Sequence, residues 1–336
     1  MSSAPKPEEI ARDAAWLAQA LDPAAGVVRL IAMDRDSYRA ASFLDDRMLQ
    51  QPIDAQLVPW PEVEAAMADD LRSDARWIFH IGHVGSTLVS RLLGELGNVL
   101  ALREPRLLRD VALCPPEVRE RYLPPVAKLM SRTFASEEVA LVKATSFVSE
   151  IAAELVPAGE AALLMYATPR NYIASILAGE NSTKELHALA PTRAQRLARR
   201  ITAIRTPHND AELAAIGWAC EMSALETAAD KMSDRHVGWL DFDRMLVDVP
   251  AALATSAELL QIPAEADELE TIATGPLTTR YSKALEYDYS PALRRDLIAD
   301  ATRRFAPEVD GALAMLRSAA EKSPLLARSL ARCGED

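Results

Sequence analysis

The stretch Phe79-His80-Ile81-Gly82-His83-Val84-Gly85-Ser86-Thr87-Leu88 has the order of strand, glycine-bounded turn and hydroxyl-bearing helix start. Such an order can hold an anion. The first N–H groups of a helix lack intrahelical acceptors, and the helix dipole adds positive potential where they point. Gly82, His83 and Val84 form the turn, Gly85 lets the backbone come close to a ligand, and the hydroxyls of Ser86 and Thr87 add donors. It is not the triphosphate loop GxxxxGK[ST], because no Lys follows the second glycine and the spacing is short. An ordinary strand-to-helix connection with Ser86 as N-cap is the alternative reading.

Other charged residues carry a functional and a plain reading side by side. Lys143 closes the strand-like run Val139-Ala140-Leu141-Val142. The carboxyl end of a buried parallel strand opens onto the ligand crevice, so Lys143 is a candidate to contact cofactor or acceptor. Glu104, in Leu102-Arg103-Glu104-Pro105-Arg106, stands between two arginines and on its own reads as a surface ion pair. Arg91 and Glu95 are four apart on one helix and read as a surface pair. His80 reads as packed within its strand. Arg280 and Lys283 either close over a ligand or are solvated. Arg193, Arg196, Arg199, Arg200 and Arg205 make a basic helical stretch with no acid between Ala188 and His208. That stretch either attracts an anionic ligand or is a solvated face.

These residues need a scaffold, and the apolar pattern supplies one. Trp77 to Ile81, Val99 to Leu102, Val139 to Val142, Ala161 to Tyr166 and His236 to Leu240 read as strands. Helices are expected between them at about 87–96, 116–134, 146–156, from Pro169, 192–206 and 210–232, with a helical remainder to Arg332. Strands alternating with helices imply a parallel sheet covered on both faces. Ahead of this core, residues 7–21 read as one amphipathic helix through Ile10, Ala14, Leu17 and Leu21, and Val27 to Met33 as a strand. No linker or repeat divides the 336 residues, so a single α/β domain is expected over 1–336, with its core at about 75–262.

Composition excludes several classes. Forty-nine per cent apolar residues are enough for a large core, which excludes a disordered chain. A net charge of −12 argues against nucleic acid as a partner, because such binding exchanges counterions for many Lys and Arg. The three cysteines, Cys114, Cys220 and Cys333, lack metal or disulfide spacing and read as unlinked thiols. No metal-ligand cluster is visible. The N-terminus lacks a signal-peptide layout and no run approaches a membrane span, so a cytoplasmic location is expected.

The stretch from His80 to Arg106 resembles the 5′-phosphosulfate loop and following helix of the sulfotransferases that use 3′-phosphoadenosine-5′-phosphosulfate (PAPS), roughly [K/R]-S-G-T-T-L. The bacterial and tyrosylprotein branches are the most similar. The resemblance continues through Leu141-Val142-Lys143-Ala144-Thr145, then Thr168-Pro169-Arg170-Asn171-Tyr172-Ile173-Ala174-Ser175, then Leu240-Asp241-Phe242-Asp243-Arg244-Met245-Leu246. It implies a three-layer α/β/α P-loop-type fold with helical insertions. It also implies PAPS as co-substrate, no metal, and a small-molecule or peptide acceptor with a hydroxyl or amine. By the same resemblance, Arg170 and Ser175 hold the 3′-phosphate and His83, in place of the usual Lys or Arg, assists the leaving oxygen. In the tyrosylprotein branch the base is a Glu 21 residues beyond the loop's basic residue; counting from His83 gives Glu104. Ala167 stands where the family has its 3′-phosphate Arg. These departures motivate the alternative of a catalytically impaired nucleotide- or partner-binding module. A P-loop kinase is a third reading, but it lacks the loop Lys.

Overall fold

The computed structural model describes residues 5–50, 53–280, 282 and 290–334; Lys283 lies outside them. Among the described residues, eight strands form two sheets. The larger sheet contains β4 (Arg76–His80), β5 (Val99–Arg103), β6 (Val139–Lys143), β7 (Ala161–Tyr166) and β8 (His236–Asp241). Its order is β5-β6-β4-β7-β8, and every pairing is parallel. Every residue of β5 and β7 is buried. Continuous apolar runs without alternation are what a sheet covered on both faces requires. Helices flank this sheet, giving the mixed α/β architecture expected.

The strand order decides where a ligand fits. From β4 the chain goes to β5 and β6 on one side, then crosses to β7 and β8 on the other. The connections therefore diverge at the carboxyl end of β4, which leaves a crevice there. The helix Ser86–Leu93 starts at that point, and all eight of its residues are buried. Beyond β7, Thr168 caps the helix Pro169–Leu177 by accepting from the Asn171 N–H. Trp218, fully buried in the helix Asp210–Lys231, donates its indole N–H to the Ala167 carbonyl at 3.0 Å. That bond seats the longest helix against the end of β7.

The N-terminal region differs from the expectation. Only Pro7–Arg12 is helical; Trp16–Asp22 is β1, paired antiparallel with β2 (Val27–Ala32), which in turn pairs with β3 (Ala55–Pro59). The apolar spacing of Ile10, Ala14, Leu17 and Leu21 fits helix geometry, but ladder hydrogen bonds to β2 prevail from Trp16 onward. Two other boundaries move. The first long helix is Glu180–Ala198 rather than 192–206, and 146–156 is a 3₁₀ turn, Ser146–Ile151, followed by the short helix Ala152–Leu155.

A strap from the N-terminal region docks onto β5. Buried Arg103 and Arg91 donate to the carbonyls of Tyr38, Arg39, Ala40 and Ala41, which end the helix Arg35–Ala40. Leu44 then donates to the Arg103 carbonyl at 2.7 Å and accepts from the Arg106 N–H at 3.3 Å. Arg91 is thus a buried fastener, not a surface partner of Glu95. These bonds place Phe43 to Arg47 beside the carboxyl end of β5.

Candidate active site

The turn after β4 has the conformation of an anion cradle. Gly82, His83 and Gly85 have φ of 83°, 55° and 61°, the left-handed region that favours glycine. The amides of Val84, Gly85, Ser86 and Thr87 have no protein acceptor among the described residues. Two details correct the sequence reading. The Gly82 N–H is taken by His80 Nδ1 at 2.9 Å. At Gly85 the missing side chain makes room for protein rather than ligand, since a Cβ there would lie 1.9 Å from the Phe242 ring. His83 Nε2 is 3.7 Å from Glu185 Oε2, and its ring meets Tyr172 edge-on with centroids 6.2 Å apart.

Glu104 follows β5 with φ of 56°, a second non-glycine residue in the left-handed region at this crevice. Its N–H donates to the Lys143 carbonyl at 2.7 Å, extending the β5–β6 pairing by one bond. Its carboxylate turns away from both flanking arginines. Oε1 accepts from Lys143 Nζ, and Oε2 accepts from Arg47 at 2.9 Å. Lys143 also donates to the Thr87 hydroxyl at 3.2 Å, so one ammonium joins the cradle helix to Glu104. Burial alone would raise the Glu104 pKa, but Lys143, His80 and Arg47 outweigh it and hold the carboxyl at about 2. Lys143 is 1% exposed, and Glu104 is its carboxylate partner.

A cavity of about 700 Å³ opens over these groups. Of the predicted residues it is lined by Gly82, His83, Val84, Gly85, Ser86, Thr87, Glu104, Lys143 and Ser175. Arg170 does not line it; its guanidinium reaches outward to Asp310 at 3.0 Å. Ser175 does line it, with its hydroxyl donating to the Tyr172 carbonyl at 2.8 Å. Ala167 is fully buried, and its carbonyl accepts from the Trp218 indole.

The basic helical stretch is largely neutralised from within. Arg193 and Arg196 bind Glu221, Arg196 and Arg200 bind Glu150, and Arg205 binds Glu212. Glu221 is fully buried, which opposes its charge, yet Arg196 and Arg193 hold its pKa down. Arg193 still lines the cavity and Arg280 contributes to the wall.

Three contributors were not foreseen. Phe43 and Arg47 arrive on the strap, with the Arg47 guanidinium 3.2 Å from the Phe43 ring centroid. Arg294 comes from the helix Pro291–Arg304, held by Asp243 at 3.1 Å and lying 4.5 Å from the Phe242 ring centroid. The available signal for that helix was Leu293 and Leu297, four apart; both are exposed and line the cavity. Among the described residues no cluster of His, Cys, Asp and Glu could hold a metal ion, and no helix is long and apolar enough to cross a membrane.

No known family's sequence model matches the chain, and no curated protein matches it. Among solved structures it is similar to one described as "Sulfotransferase Domain from the Curacin Biosynthetic Pathway". That likeness has a TM-score of 0.39 at 13% identity, covering 70% of this chain and 97% of that chain.

Proposed function

We propose that the protein transfers a sulfuryl group from PAPS to a hydroxyl or amine acceptor. The observation that carries this reading is Lys143, whose ammonium bridges the Thr87 hydroxyl of the cradle and the Glu104 carboxylate inside one cavity. An anion site and a proton acceptor are thereby set side by side, as in-line transfer requires.

The amides of Val84 to Thr87, which lack a protein acceptor among the described residues, fit the 5′-phosphosulfate end of PAPS, with Lys143 and His83 as nearby cations or donors. When bound, PAPS supplies an activated sulfuryl group with a phosphate leaving group. The 3′-phosphate end does not fit Arg170, which is engaged by Asp310 outside the cavity. Glu104 accepts the acceptor's proton. A carboxyl at about 2 is a weak base at neutral pH, and Lys143 is the cause. An anion in the cradle shares the Lys143 charge, which strengthens Glu104 as a base only when the donor is in place.

A second reading, a nucleotide- or partner-binding module without turnover, draws on the Arg170–Asp310 pair and on Ala167. Calorimetric titration with 3′-phosphoadenosine 5′-phosphate, followed by a transfer assay over phenols, alcohols and amines, separates the two. Binding together with product formation supports the enzyme. Binding without transfer supports the nucleotide-binding module, and no binding at millimolar ligand removes the enzyme.

A further inference from the structure

His80 ends β4 and is 6% exposed, and it touches both the cradle turn and Glu104 without a step of its own in the proton transfer described above. The Gly82 N–H donates to its Nδ1 at 2.9 Å, so Nδ1 must present a lone pair. In the neutral ring the proton then sits on Nε2, and Nε2 faces Glu104 Oε1 at 3.9 Å. One edge of the imidazole holds the turn and the other faces the carboxylate. Lys143 reaches the same Glu104 oxygen, and Arg47 takes the far one.

We infer that His80 is a positioning residue that locks the Gly82 turn to the orientation and charge of Glu104. A proton on Nδ1 would set N–H against N–H at Gly82, so the turn selects the Nε2–H form. That form points its only donor toward Glu104. Cradle and base are thereby held in one register: a shift of the turn moves the ring, and the ring moves the field on the carboxylate. The catalytic consequence rests on the sulfuryl-transfer reading, whereas the tautomer and the turn contact belong to the free protein.

Two substitutions separate the two edges. His80→Asn keeps an acceptor for the N–H two residues on, as in an Asx-turn, and loses the donor facing Glu104. His80→Phe keeps bulk and loses both. In ¹⁵N-labelled full-length protein at neutral pH, two-bond ¹H–¹⁵N spectra should show an imidazole with protonated Nε2 and bare Nδ1 that vanishes in His80→Asn; a protonated Nδ1 there overturns the inference. Titrated with inorganic pyrophosphate, His80→Asn should stay within about threefold of wild type and His80→Phe should weaken about tenfold, the size of one lost hydrogen bond. Equal affinities for all three proteins overturn the turn contact. In the transfer assay His80→Asn should lower kcat about tenfold at unchanged KM for PAPS, because the orientation of Glu104 is loosened. It should also move the acidic limb of kcat to higher pH, because Glu104 loses a group favouring its charged form. An unmoved limb overturns the link to Glu104. Inactivity of the wild type with every acceptor would overturn the sulfuryl-transfer reading alone, and the spectra and pyrophosphate titration would still decide the role of His80.

Discussion

Both oxygens of Glu104 are occupied in the free protein, Oε1 by Lys143 and Oε2 by Arg47, and this has a thermodynamic signature. Its pKa falls from an ordinary 4.5 to about 2 on folding. At about 1.4 kcal/mol per unit, ionised Glu104 contributes roughly 3 kcal/mol. The sign follows from a depressed folded pKa. The contribution is complete above about 4.5 and is lost as pH falls toward about 2. Glu104→Gln should therefore be less stable than wild type by roughly 3 kcal/mol at neutral pH, with the gap closing below about pH 4 in urea unfolding. The same variant should lose about 10²–10⁴ in kcat while binding 3′-phosphoadenosine 5′-phosphate nearly as wild type does. Turnover left intact would remove Glu104 from the chemistry.

At the scale of elements, the cradle depends on β8 as well as on its own strand and helix. Phe242, just past β8, fills the space that a side chain at position 85 would take. Gly85→Ala should cost about 2–4 kcal/mol, combining left-handed backbone strain with overpacking. In a Phe242→Ala background only the backbone part, about 1 kcal/mol, should remain; thermal unfolding of the four proteins measures this. A full cost in both backgrounds would mean that Phe242 does not set the turn. The strand, turn and helix around Gly82 to Thr87 were legible because their residues are contiguous and their types are specific. Lys143 was legible as a strand-end charge and the parallel sheet from its unbroken apolar runs, whereas Glu104 was reached through the resemblance, by its distance from His83. The strap was not, because Arg47 meets Glu104 across 57 residues and only the docked chain brings them together. β1 was misread because four apolar residues at helical spacing outvoted a strand whose partner comes after it. Half-exposed β3 has too little apolar alternation to announce itself.

For the molecule as a whole, the net charge of −12 does not describe the local pairing of its arginines. The arginines that looked like a basic face instead hold the helix Glu180–Ala198 to the helix Asp210–Lys231 through Glu221, and to the turn after β6 through Glu150. The charges of Arg193 and Arg196 were legible, but their partners, more than 20 residues away, were not. Glu221→Gln leaves two buried guanidinium groups short of an anion. It should cost about 3–5 kcal/mol, or roughly 4–7 °C in Tm, without abolishing pyrophosphate binding below the transition. A loss under about 1 kcal/mol would mean that the helices do not need this network. The left-handed backbone at His83 carries a different consequence. A protein under selection for stability alone would place glycine there. His83→Gly should raise Tm by about 1–3 °C by relieving that strain, while slowing any step that uses the imidazole. If both changes occur, position 83 is where this molecule trades durability for rate.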